Sequence, residues 1–106
     1  MFETLREKIV DILIKAEEPL SVSQIASLLG LSSREERTIY TALTHIAKSV
    51  RRKSKGKLQL VMIPPVCKKC GYVFKHLDKP RRPSKCPRCK SERIEEPKFK
   101  IIGENI

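Results

Sequence analysis

The sequence predicts an α+β chain: three helices, a small antiparallel sheet, and a short cysteine-bearing module set between the two strands of that sheet. Three observations lead there. Helical periodicity of apolar residues runs through residues 1–50 and then stops. Two apolar extended stretches, Leu58–Ile63 and Lys98–Ile102, occupy the second half of the chain. All four cysteines of the chain lie between those stretches, in two Cys-x-x-Cys pairs.

The first helix is predicted from Phe2 to about Glu17, with Phe2, Leu5, Ile9, Ile12 and Ala16 on one face. Val10 and Ile14 form an i,i+4 pair on a second side, which predicts packing on two sides or a homodimer contact through this helix. Pro19 ends it, because proline cannot donate and disfavours the α region in the residue before it. Leu20-Ser21-Val22 is a short extended piece. Ser23 is the expected N-cap of a second helix, Gln24–Leu29, which Gly30 stops in the left-handed region. A third helix is predicted to begin with a capping box, Ser32 with Glu35 or Ser33 with Glu36, and to run to about Val50. Ile39, Leu43, Ile46 and Val50 form its buried stripe.

A short helix, a tight turn after glycine and a longer helix is a helix-turn-helix arrangement. With Ile39 set inward, the opposite face of the third helix carries Arg34, Arg37, Thr41, Thr44 and Lys48. Cations and hydroxyls in that row suit phosphates and base edges. Glu35 and Glu36, on the first turn, oppose tight binding to a polyanion. Tyr40 and His45 are expected at the margins of this face as partly exposed fillers.

The cysteines read Cys67-Lys-Lys-Cys70-Gly71 and Cys86-Pro-Arg-Cys89-Lys90, a C-x2-C-x15-C-x2-C pattern. This is the spacing of a structural tetrathiolate site: each tight turn aims two sulfurs at one ion, and four sulfurs leave no open position for substrate. Zinc is the expected occupant and iron the alternative, since such knuckles serve both metals. Two disulfides would need an oxidising compartment. The chain opens without a basic and apolar leader, and no stretch approaches a membrane span, so a cytoplasmic location is expected. The module, residues 64–94, is too short and polar to hold together by burial alone, and metal binding contributes about 10 kcal/mol or more to units of this kind. The expected division is thus a helical body over 1–63, the metal module over 64–94, and a strand within 95–106 that returns to the body's sheet. His76 is surplus to a complete four-sulfur site.

The formal net charge is +11 in 106 residues, and it is clustered. Residues 1–50 are nearly balanced, whereas Arg51, Arg52, Lys53, Lys55 and Lys57 come next with no acidic residue among them. The metal module adds a basic loop, Lys79, Arg81, Arg82 and Lys85, stiffened by Pro80 and Pro83. Single-sign blocks of this kind mark a polyanion partner, nucleic acid before others. Catalysis is not expected: Asp11, Asp78, His45 and His76 are the chain's only Asp and His residues, and no nucleophile elbow, phosphate loop or open metal triad is present.

These pieces resemble a family of short archaeal predicted transcriptional regulators that combine a winged helix-turn-helix with a rubredoxin-like zinc ribbon. The resemblance rests on Ser21-Val22-Ser23-Gln24-Ile25-Ala26, on the third helix with Tyr40 and Leu43, and on the knuckles of Cys67, Cys70, Cys86 and Cys89. It implies a winged helix-turn-helix with the zinc ribbon inserted at the wing, cysteine-bound zinc, and DNA as partner. It places Arg34, Arg37, Thr41 and Thr44 on the exposed part of the recognition helix. The alternatives are an adaptor binding a protein of the transcription machinery and an RNA-binding module.

Overall fold

The computed structural model describes residues 4–77 and 79–103. Thr4 caps the first helix, α1 (Leu5–Lys15), its hydroxyl accepting from the Glu7 N–H at 3.2 Å. The helix ends short of Glu17 because Ala16 is already extended, at ψ 134°. Phe2, the expected start, lies outside the described residues. Ile9 and Leu13 are fully buried, so Leu13 rather than Ile12 completes the inward stripe.

A two-residue strand, β1 (Leu20–Ser21), leads directly into α2 (Val22–Leu29). The cap of α2 is Ser21, not Ser23. Ser21 Oγ accepts from the Gln24 N–H while Gln24 Oε1 accepts from the Ser21 N–H, so the helix starts with a reciprocal capping box. That choice frees the Ser23 hydroxyl to bond with Glu96, far along the chain. Gly30, at φ 72°, closes the helix: the Leu31 N–H reaches back to the Ala26 carbonyl at 2.8 Å.

A single 3-10 turn, Ser33–Glu35, precedes α3 (Glu36–Lys53). Neither expected capping box forms; Ser32 Oγ instead donates to Glu35 Oε1 at 3.3 Å, and Arg34 belongs to the turn rather than to α3. Ile39, Ala42, Leu43, Ile46 and Val50 face the core. The helix continues three residues past Val50. Arg51, Arg52 and Lys53 form its last turn, where cations meet the partial negative charge of the carbonyl end.

The chain then turns into β2 (Leu58–Ile63). Its partner is β5 (Lys98–Gly103), antiparallel, in a register from Leu58↔Gly103 to Ile63↔Lys98. On its other side β5 pairs with β1, Leu20↔Phe99 and Ser21↔Lys98, giving the order β1-β5-β2. The sheet therefore has three strands where two long ones were expected, and its central strand comes last in the chain. Phe99 and Ile101 of β5 are buried against α1, α2 and α3, and α1 packs on both α3 and β5. Val10 and Ile14 are half-buried against this same core, as two-sided packing requires.

Residues 64–97 leave and re-enter the sheet at the directly opposed pair Ile63↔Lys98. Within them, β3 (Val66–Cys67) and β4 (Ile94–Glu95) pair antiparallel as a second small sheet. Gly71-Tyr72-Val73-Phe74, which by sequence reads as a short strand leaving the first knuckle, forms one isolated bridge, Val66↔Val73. No helix among the described residues is long and apolar enough to cross a membrane.

Candidate metal centre and basic surface

The two knuckles have the same backbone construction. In the first, the Gly71 N–H donates to the Cys67 carbonyl at 2.9 Å and the Cys67 N–H to the Tyr72 carbonyl at 2.8 Å. In the second, Lys90 donates to the Cys86 carbonyl at 2.9 Å and Cys86 to the Ser91 carbonyl at 2.9 Å. The residue after each pair must turn left-handed. Gly71 does so at φ 79° without steric cost, whereas Lys90 does so at φ 64° carrying a side chain.

The turns bring all four sulfurs within 4.8 Å of one another. Across the knuckles, Cys67 Sγ lies 3.5 Å from Cys89 Sγ, and Cys70 Sγ lies 3.6 Å from Cys86 Sγ. A tetrahedron built from metal–sulfur bonds of about 2.3 Å has edges of roughly 3.8 Å, so the cage has the size of a four-thiolate metal site. None of the four cysteines is disulfide-bonded in this structure. Backbone N–H groups of Arg88 and Cys89 point at Cys86 Sγ at 3.4 and 3.5 Å, orienting it for its role.

Electrostatics agree with an ion. Backbone N–H donors from Cys70 and Lys69 draw the Cys67 thiol down to about 6 against its burial, helped by the neighbouring sulfurs of Cys89 and Cys70. The Tyr72 N–H also favours the Cys70 thiolate, but burial and three adjacent sulfurs push that thiol up to about 12. Burial raises Cys86, but the N–H groups of Cys89 and Arg88, together with the sulfurs of Cys70 and Cys89, leave it lowered. Four sulfurs this close cannot all ionise by themselves; a divalent cation removes the conflict. Around the cage Phe74 and Ile94 cluster with Cys67 and Cys86 as buried residues, with Tyr72 edge-on to Phe74 at 5.0 Å.

Every cation named from the sequence is exposed: Arg34, Arg37 and Lys48; Arg51, Arg52, Lys53, Lys55 and Lys57; Lys79, Arg81, Arg82 and Lys85. Thr41 is exposed and Thr44 half-buried. Their hydroxyls donate back to the Arg37 and Tyr40 carbonyls, each at 3.1 Å. Thr41 and His45 also line a groove of about 1110 Å³ between α1 and α3, with Val10, Ile14 and Arg52 along it.

One functional contact had no sequence signal. Ser23 Oγ, on the first turn of α2, donates to Glu96 Oε1 at 2.6 Å, holding the exit of the metal module against the helical body. A carboxylate is favoured there by the helix N-terminus. Arg82 of the basic loop, Lys68 and Lys98 line a cavity of about 280 Å³ at this junction with Glu95 and Glu96. Tyr40 is close by. It is half-buried, as expected, but its ring meets Phe99 edge-on at 6.3 Å and its hydroxyl is buried with no partner among the described residues. Burial first, then the Glu96 carboxylate, holds its phenol well above the ordinary value, with Arg82 opposing and Glu36 adding to the rise.

Comparison with known proteins gives two family matches. Residues 4–58 match the model described as PF0610-like, N-terminal, and residues 64–104 match the PF0610 rubredoxin-like zinc beta-ribbon domain. No curated protein matches the chain. Among solved structures, the solution NMR structure of protein PF0610 from Pyrococcus furiosus is similar, at 36% identity and a TM-score of 0.71, covering 96% of this chain and 94% of that one. The N-terminal match spans more than half of the sequence, and the four-sulfur cage lies inside the second match, so this chain belongs to the PF0610-like family.

Proposed function

We propose that this chain is a DNA-binding transcriptional regulator: a winged helix-turn-helix whose α3 enters the major groove, with a zinc ribbon in place of the wing's tip. One observation carries it. Exposed or half-exposed Arg37, Thr41, Thr44 and Lys48 run at helical spacing along α3 straight into exposed Arg51, Arg52 and Lys53. A single helix face thus offers both groups able to meet base edges and a cluster for phosphates. The order α1-β1-α2-α3-β2-β5 and the sheet β1-β5-β2 support the winged assignment, and Glu96 on Ser23 supports a ribbon held at a fixed angle to the body. Zinc in the cage of Cys67, Cys70, Cys86 and Cys89 has a structural role: it fixes the loop that presents Lys79, Arg81, Arg82 and Lys85.

Mobility shifts across a salt series test this. Replacing Arg51, Arg52 and Lys53 by alanine should weaken binding to all duplexes alike and reduce the log–log salt slope by about 0.9 for each phosphate no longer neutralised. Replacing Arg37 or Thr41 should instead alter preference between sequences. Affinity equal to that of the parent in both variants refutes the proposal. A second proposal, an adaptor in the transcription machinery, is favoured by Glu35 and Glu36 at the end of α3 that would meet the duplex. Capture of polymerase subunits by a chain with no affinity for any duplex at low salt would select it.

A further inference from the structure

The sheet order β1-β5-β2 leaves one side of β2 without a strand. Its six residues, Leu-Gln-Leu-Val-Met-Ile, carry no charge, proline or glycine, so the strand itself lacks the usual protections of an edge. Burial across the sheet shows the same opening. Leu60 and Met62 face the core yet stay half-exposed, while their cross-strand partners Ile101 and Phe99 are 1% and 0% exposed. On the opposite face, Ile63 and Ile102 are 46% and 45% exposed.

Hydrogen bonding defines the length of this edge. The Leu58 N–H donates to Ser54 Oγ at 2.9 Å rather than across to Gly103. In an antiparallel ladder residues alternate between their two neighbours, so Leu58, Leu60 and Met62 turn their N–H and C=O groups away from β5. Ser54 occupies the position at Leu58, with its Oγ also 3.4 Å from the Leu58 carbonyl. Pro64, the next residue in the alternation, has no N–H to offer. The open stretch is therefore Leu60 and Met62, whose N–H and C=O groups this alternation turns to the strandless side of β2.

We infer that this edge docks a short extended segment of a partner protein, apolar at alternate positions and acidic at the end that meets the basic turn before β2. The apolar side chains would lie beside Leu60 and Met62 and finish burying them, and the peptide backbone would bond to both residues. Charge fixes one flank: exposed Lys55 and Lys57 precede the strand. The surface is separate from the row of residues on α3 assigned to DNA, and the inference stands whether or not that assignment does.

The test uses the isotope-labelled full chain with its metal and a synthetic peptide with paired glutamates at one end followed by alternating valine and threonine. Amide exchange at Leu60 and Met62 should slow by about tenfold or more, with shift changes concentrated on β2 and its basic flank at Lys55 and Lys57. The same peptide N-methylated at its valines should bind about tenfold or more weakly, because it forfeits the ladder bonds. Unchanged exchange at Leu60 and Met62 overturns the inference, as does equal binding of the N-methylated peptide, which would indicate ionic attraction alone. Protection of those amides in the free chain, together with a mass that rises with concentration in sedimentation, overturns it in favour of a second copy.

Discussion

Replacing Phe99 by alanine should destabilise the helical body by about 3–5 kcal/mol, the range for truncating a fully buried aromatic. The structure gives reasons for the upper part of that range. Phe99 is 0% exposed, sits on the central strand between Leu20 and Met62, and meets Tyr40 edge-on, a geometry worth about 0.5–1.5 kcal/mol beyond burial. A domain of this size is stable by roughly 5–15 kcal/mol, so much of the total is at stake. Urea unfolding monitored by the helical circular dichroism signal should show the midpoint falling by roughly 2–3 M, at a slope of about 1.5 kcal/mol per molar. Ile102→Ala, three residues along and 45% exposed, is the control and should change stability by less than about 0.5 kcal/mol. A loss under about 1 kcal/mol for Phe99→Ala would mean that β5 does not complete the body's sheet, and the insertion of the ribbon between β2 and β5 would fall with it.

Metal analysis of purified protein should find one zinc ion per chain in colourless solution; a coloured iron site would refute the zinc assignment. Acidification should release the metal, monitored with a chromogenic chelator, because protons compete for the thiolates and Cys70, pushed up to about 12, must give up its proton to bind. The sign is fixed: affinity rises with pH, and retention that improves as pH falls would contradict thiolate ligation. Tyr40→Phe removes a buried hydroxyl without a partner, so it should be neutral or stabilising by up to about 1 kcal/mol in the same urea assay; a loss above about 1 kcal/mol would mean that the hydroxyl is hydrogen-bonded.

The metal cage was legible in the sequence because knuckle geometry is local: two intervening residues and a left-handed fifth position decide where the sulfurs point. The helices and the two long strands were legible for the same reason, through periodicity and glycine or proline stops. What failed depended on partners distant in the chain. Ser23 resembled a cap, yet Ser21 takes the capping box because its own backbone is already held extended by β5. Val73 resembled part of a strand, but only Val66 is placed to pair with it. Glu96 gave no signal, since nothing local links it to Ser23, seventy-three positions away. Arg51–Lys53 were legible as charge but expected beyond the end of the third helix at about Val50, whereas carbonyls at a helix end welcome a run of cations.

The central strand being the last one made has a consequence for how this molecule assembles. While the chain is being synthesised, Leu20 and Leu60 must wait for partners that do not yet exist, and the gap to be closed spans the whole ribbon. Capture of an ion by the thiolates would gather residues 64–97 and carry Lys98 back beside Ile63, turning a distant closure into something close to a hairpin. Refolding from urea should accordingly be faster with zinc present than with chelator, read from the helical signal of the body rather than from the ribbon. Equal rates would mean that the body gathers its final strand without help from the metal.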